Sequence, residues 1–312
     1  MDNFIVSSKV VLPLLLMMLV GVGARRCGLA DELVLKKMDA IAFRIFLPIL
    51  LFQNLYMVDL SQAFNPMLMV YTIASVIVIF ALSMWLIPVF EKNNQKRASI
   101  IQSIIRSNFL IFGLAIAVSL YGEGKAASVA LLGSVFIPLS NALAVFVLEY
   151  YRMGKVNAKK IMLSIVKNPL VIAALLGLVV LLWGIQLPDF LKKTIKDMSG
   201  VATPLCLLTL GGSLRAADAK ENARQITLGL ITRMVLVPGI FLSIAALIGF
   251  RGEALLALLV LFASPTAVSS YTMAQQMGAD GKLAGQLVAF TTGASLITIF
   301  LFVFIFKELR FL

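Results

Sequence analysis

Two short polar runs sit where an otherwise apolar chain has least use for them. One holds Gln102, Arg106, Ser107 and Asn108; the other holds Ser264, Pro265, Thr266, Ser269 and Ser270. Asn108 and Ser264 are 156 residues apart, half of the 312-residue length. Pro265 has no N–H and clashes with the preceding turn, so a helix should break there. Broken backbone at membrane depth survives only where protein or a water-filled cavity satisfies it. The half-helix after each break begins with free N–H groups and a positive dipole end, and two such ends meeting make an anion site. The chemistry expected is therefore recognition of an anion. Asn108 would offer an amide donor, and the backbone near Leu110 and Ile111 and from Thr266 through Ala267 to Val268 would share the same ion. Asn108 and Pro265 should then lie side by side. Taken singly, either run also reads as a kink with locally satisfied hydroxyls.

Further polar groups could serve this site. Arg106 lies roughly 13 Å beyond Arg97 along a helix. It either attracts a carboxylate, neutralises carbonyls freed at the break, or snorkels to the interface. Arg44 is shallower and reads as snorkelling, and Arg233 reads as structural. Pro48 and Pro204 are matched prolines, each followed five residues on by a polar side chain, Gln53 and Thr209. Gln53 and its neighbour Asn54 either line the path to the crossover or bond between helices. Ser134, Ser140 and Asn141, and likewise Gln286, Thr291, Thr292 and Ser295, either support unwound backbone or hold a cation such as Na⁺. Asp59, Glu123 and Glu149 all fall near segment ends, so no carboxylate relay is expected across the membrane. The chain has no histidine, the commonest general base and metal ligand. Cys27 and Cys206 form no metal-binding spacing. No metal or cofactor is expected, and an enzyme is disfavoured.

These groups must be positioned by a mostly hydrophobic frame. Hydrophobic residues are 61% of the chain and charged residues 13%, about half the share typical of soluble domains. Ten apolar segments are expected, at 4–23, 38–58, 66–90, 99–121, 126–150, 168–185, 194–214, 225–249, 253–277 and 283–306. Each approaches the ~20 residues that cross a bilayer. The net charge of +12 comes from Lys and Arg in short loops, a membrane pattern rather than a nucleic-acid footprint. Arg25, Arg26, Lys36, Lys37, Lys92, Lys96, Arg97, Arg152, Lys155 and Arg215 are among those on the richer side. Lys9, Lys125, Lys192, Lys193, Lys196, Arg251, Lys307 and Arg310 fall opposite. The richer side should be cytoplasmic, which places both termini outside.

The 156-residue shift aligns Pro13 with Pro169, Gly21 with Gly177, Gly28 with Gly184, and Leu35-Lys36-Lys37 with Leu191-Lys192-Lys193. With five segments per copy, residues 1–151 and 152–312 would be inverted repeats, a transporter hallmark. The expected fold is thus an all-α membrane protein of ten transmembrane helices, with segments 4 and 9 broken.

The run from Ala263-Ser264-Pro265-Thr266 to Gln275-Gln276-Met277-Gly278 resembles the auxin efflux carrier family, bacterial members above all. So do Thr203-Pro204-Leu205, Leu208 to Leu214, Lys167-Asn168-Pro169, and Asn108 with Gly113. The resemblance covers nearly the whole chain. It implies a bile-acid-symporter-like fold, with a scaffold of helices 1, 2, 6 and 7, often a dimer interface, and a transport domain of helices 3–5 and 8–10. It also implies elevator-type transport of carboxylates, either auxin-like or small dicarboxylates, with Asn108 contacting the substrate and coupling to Na⁺, to H⁺ or to neither. Plant members have proline where this chain has Ser107, so the break in segment 4 should be softer. They also carry charged groups in segment 3 that are missing here. An anion channel or a membrane sensor is the competing class, and the inner membrane the expected location.

Overall fold

The computed structural model describes residues 2–57, 65–121, 127–153 and 163–312. Asp59, Glu123, Lys125, Lys155 and the rest of 154–162 lie outside them. Among the described residues the chain is helical, and a single isolated bridge is the only β-type pairing. Five helices are long and apolar enough to cross a membrane, and two shorter apolar ones accompany them. Leu16, Leu19, Trp85, Val89, Leu182 and Leu247 point outward, as expected where the solvent is lipid rather than water.

Helix α1 (Asp2–Arg26) ends in a turn with Gly28 at φ +73°. Leu29 N–H reaches Ala24 O, and Gly28 N–H reaches Arg25 O. Helix α2 (Glu32–Ile41) is capped by Asp31 and runs through a π-helical turn (Ala42–Phe46) into α3 (Leu47–Tyr56). Pro48 therefore sits in the first turn after the π turn, where its missing N–H costs least, and the helix continues through it. α4 (Pro66–Phe90) follows. Segment 4 is split into α5 (Asn94–Ile105) and α6 (Phe109–Tyr121), and α7 is Ala127–Met153.

α8 (Pro169–Leu182) ends as α1 does. Gly184 has φ +63°, with Ile185 N–H on Val180 O and Gly184 N–H on Leu181 O. Gly28 and Gly184, aligned by the 156-residue shift, thus close two helices with the same left-handed cap, a conformation that favours glycine. α9 (Asp189–Ser213) carries Pro204 within an unbroken helix. α10 (Ala223–Ile231) passes through a second π turn (Thr232–Leu236) into α11 (Val237–Ile248). Segment 9 is split into α12 (Gly252–Ala263) and α13 (Ser269–Gln276), and α14 is Gly281–Glu308.

Two helix pairs pack backbone to backbone. α1 lies on α9, and α8 lies on α3. A Cβ on Gly21 would stand 2.0 Å from Leu208 O, one on Gly211 1.9 Å from Met18 O, and one on Gly177 3.0 Å from the Leu55 Cβ. Gly21 and Gly177 are aligned by the same shift, so each half contributes one glycine to one close pair. The first two contacts exclude any side chain at Gly21 and Gly211.

Candidate functional site at the helix crossover

The two breaks meet. Arg106 leaves α5 in extended backbone (φ −96°, ψ 125°), and Ser264 leaves α12 likewise (φ −67°, ψ 149°). The extended pieces run antiparallel, with Ser107 opposite Thr266. Asn108 N–H donates to Pro265 O at 2.8 Å, and Ala267 N–H to Arg106 O at 3.4 Å. Asn108 and Pro265 are adjacent, as the repeat register predicts.

Carbonyls at the ends of α5 and α12 would be orphaned in apolar surroundings. Arg233 resolves this for both helices. Its Nε and Nη2 donate to Ser264 O, Nη2 also to Leu261 O, and Nη1 to Ile104 O. The π turn around Arg233 carries this side chain inward, where it is 2% exposed. Its structural role is therefore that of a clamp on both half-helices. Thr266 Oγ1 donates to Ser103 O, Thr266 N–H to Thr291 Oγ1, and the Gln102 amide to Ser270 O. Thr291 on α14 thus supports unwound backbone.

Arg106 does not snorkel. It is 4% exposed and reaches across to α13 and α7. Nη1 donates to Ser270 Oγ and Met273 Sδ, and Nη2 to Asn141 Oδ1 and Ser269 Oγ. Every one of these partners is neutral. Asn141 completes the chain by donating to Ile137 O.

A cavity of about 310 Å³ opens against this crossover. Of the residues singled out from sequence, Asn54, Arg106, Ser107, Asn108, Leu110, Ile111, Ala267 and Val268 line it, as do Ser140 and Asn141. Gln53, Ser264, Pro265 and Thr266 do not. Gln53 lies on another face of α3, while Ser264 and Thr266 are fully buried behind the crossover and engaged there through backbone atoms. The expectation that Thr266 and Ala267 N–H groups would be available for an anion is corrected for the same reason, since both already have partners. The N–H groups of Phe109, Leu110 and Ile111 open α6 and have no turn before them to bond. The Asn108 Nδ2 and the Ser107 hydroxyl are buried with no partner among the described residues. Ser269, from the second polar run, and Thr203, which precedes Pro204, also line the cavity, while the sequence reading missed Cys206 and the apolar wall of Leu47, Leu50 and Leu51. The π turn before Leu47, which aims that wall, has no sequence signature.

One carboxylate also escaped notice. Asp39 on α2 is 1% exposed. Its position beside Lys36 and Lys37 suggests an interfacial residue, yet it lies roughly 12 Å beyond its helix cap. Tyr271 Oη donates to Asp39 Oδ2 at 2.9 Å, and Thr272 Oγ1 to Oδ1 at 3.4 Å. The reading that found acidic groups only near segment ends, with no carboxylate relay, did not weigh this buried Asp39. Glu149 is buried at 6% and paired with Arg152 at 2.6 Å.

Comparison with known proteins fits this geometry. An uncharacterised transporter of Methanocaldococcus jannaschii is 24% identical over 303 residues, covering 94% of this chain and 97% of its own. Another, from Methanothermobacter thermautotrophicus, is 23% identical over 308 residues, with 95% and 97% covered. Auxin efflux carrier component 6 of Arabidopsis thaliana is 28% identical over 130 residues, covering 40% of this chain and 23% of the plant protein. Residues 6–303 match the family described as membrane transport protein. The chain is an integral membrane protein and belongs to that transporter family, the one that includes the auxin efflux carriers.

Proposed function

We propose that the chain is a secondary carrier of small organic anions. The observation that carries this reading is the cavity at the crossover. It presents a buried, unpartnered Asn108 amide, the free N–H groups of α6 and a guanidinium, Arg106, whose described partners are all neutral. A carboxylate supplies the missing acceptor and the missing negative charge. The apolar wall suits the hydrocarbon part of the substrate. The bound groups are Asn108, Ser107, Arg106, Asn54 and the backbone of Leu110, Ile111 and Val268. A dicarboxylate or an auxin-like acid matches both chemistries.

Ten spans arranged as two inverted five-helix repeats, residues 1–151 and 152–312, account for the paired features. The matched glycine caps and the two equivalent close helix pairs support that arrangement. Exchanging the halves turns the α1–α9 contact into the α8–α3 contact. These four elements, with α2 and the π turn that run into α3, form the scaffold, which also offers a dimer surface. The rest forms a transport domain that moves as an elevator against it. Both termini face outward from the inner membrane by the charge distribution of the loops.

Counterflow in proteoliposomes tests this reading. Preloaded unlabelled malonate, malate or an indole carboxylate should accelerate uptake of the labelled acid. An organic cation of similar size should not. Equal flux of the cation defeats the anion reading. Flux without trans-acceleration defeats the carrier in favour of a channel.

A further inference from the structure

We propose that Asp39 is the proton-binding residue of this carrier, and that its protonation frees the transport domain from the scaffold on the side of the basic loops. The proposal rests on the two-domain reading above and adds a coupling ion and its site.

Asp39 belongs to a hydrogen-bonded group whose other members line two cavities. One is the crossover cavity, whose wall includes Cys206. The other, about 240 Å³, is lined by Arg25, Lys36, Arg215, Ser213 and Tyr271 among others. Between them runs a hydrogen-bonded layer. Ser213 and Cys206 belong to α9, and Asp39 to α2, all in the proposed scaffold. Tyr271 and Thr272 belong to α13, in the proposed transport domain. The Tyr271 and Ser213 oxygens are 2.7 Å apart. The tyrosine has one proton, so it donates to Asp39 and accepts from Ser213. Thr272 likewise donates to Asp39 and lies 3.4 Å from the Cys206 sulfur. Both of these bonds to the carboxylate cross the domain boundary, while Thr209 of α9 faces it from within the scaffold and also bonds Cys206 O.

The groups facing Asp39 are hydroxyls and a thiol. Tyr271 and Cys206 are the titratable ones, Thr272 and Thr209 the neutral ones, and Ser213 is reached through Tyr271. Arg106 lies past Cys206 on the crossover side, and Lys282 and Glu32 also line the basic cavity. None of the described salt bridges includes Asp39, because Glu32 takes Lys36 and Arg215 while Arg25 donates to Gly212 O. A buried carboxylate with no cation depends on its O–H donors. While it is charged, pulling α13 away strips the Tyr271 and Thr272 donors from it and leaves Thr209, whose hydroxyl also serves Cys206 O. A proton arriving from water in the basic cavity and settling on an Asp39 oxygen makes a neutral acid. Charge-assisted bonds become ordinary ones of roughly half the strength, and the layer can part.

The test reads access and needs no transported substrate. In a Cys206→Ala, Thr203→Cys protein, a thiol lines the crossover cavity behind the layer. Exposed Cys27 serves as an internal reference for reagent and pH. Inside-out vesicles are treated with a membrane-impermeant methanethiosulfonate. The labelling ratio of T203C to Cys27 should rise several-fold as pH falls from about 8 to about 5.5. Asp39→Asn, which mimics the neutral acid, should hold the raised ratio at every pH. Tyr271→Phe, which removes one donor, should raise the ratio at high pH and serves if Asp39→Asn does not fold. A pH-independent ratio with Asp39 present overturns the proposal, as does an unchanged ratio in Tyr271→Phe. So does a ratio that follows Na⁺ at fixed pH. Failure of counterflow with an intact pH response would strike the carrier reading instead.

Discussion

The two interrupted helices reach the same shape by different routes. α12 stops where Pro265 has no N–H to give, and its gap runs over five residues, 264–268. α5 stops with no proline nearby, and its gap covers only 106–108. Ser107 and its neighbours could continue a helix. They do not, because the Ser103, Ile104 and Arg106 carbonyls find partners on other elements in Thr266, Arg233 and Ala267. One break is written locally, and the other is imposed by the first. Arg233 joins them by holding the carbonyl ends of both half-helices.

The largest effect should follow from removing that shared clamp. Arg233→Met leaves Leu261 O, Ser264 O and Ile104 O without donors in an apolar interior. Each buried carbonyl left unsatisfied costs about 1–3 kcal/mol, so a loss of several kcal/mol is expected, seen as poor accumulation or a large fall in Tm in detergent. A small change would mean that the breaks hold themselves open.

Next comes Asn108→Ala. The Asn108 backbone holds the crossover through Pro265, whereas its side chain is free for substrate. Affinity for the carried acid should drop by roughly ten- to a hundredfold, equal to about 1.5–3 kcal/mol, with Tm preserved. A matching fall in Tm would make Asn108 part of the frame instead.

Pro265→Ala separates the local break from the imposed one. Arg233, Thr291 and the pairing with Asn108 still hold the extended run, so stability should change by only about 1 kcal/mol. The new N–H favours a longer α12, and counterflow should slow by more than Tm suggests. Unaltered transport would show that the tertiary contacts alone suffice at both breaks.

The smallest effect, and of opposite sign, is expected for Ser107→Pro. Arg106 already has the extended backbone that a following proline demands. Ser107 N–H makes no bond in the Ser107–Thr266 pairing, whose two hydrogen bonds use Asn108 and Ala267. A gain of about 0.4–1 kcal/mol is expected, since proline narrows the unfolded ensemble, measured as a modest rise in Tm. A loss would show that the segment 4 break depends on adaptable backbone.

Sequence alone determined that the chain lives in a bilayer, where polar runs interrupt it, and that Asn108 and Pro265 belong together. Those features follow from residue type and spacing: hydropathy, a proline, glycines at matched positions. Most helix ends fall within about three residues of their expected places, but α2, α5 and α9 begin five or six residues earlier, at Glu32, Asn94 and Asp189, because polar caps and first turns extend beyond the apolar runs. Tertiary structure alone decided what each buried polar group faces. Arg106 and Arg233 sit at similar sequence depth, yet one borders the crossover cavity and the other locks the carbonyls behind it. Gln53 and Asn54 are neighbours, and a helix turns only one of them to the cavity. Asp39 looks interfacial beside two lysines until α13 is packed over it with Tyr271 and Thr272. Hydrogen-bond partners more than 150 residues away in sequence leave no local trace, so which side of a helix meets substrate, carbonyl or lipid is settled only by packing.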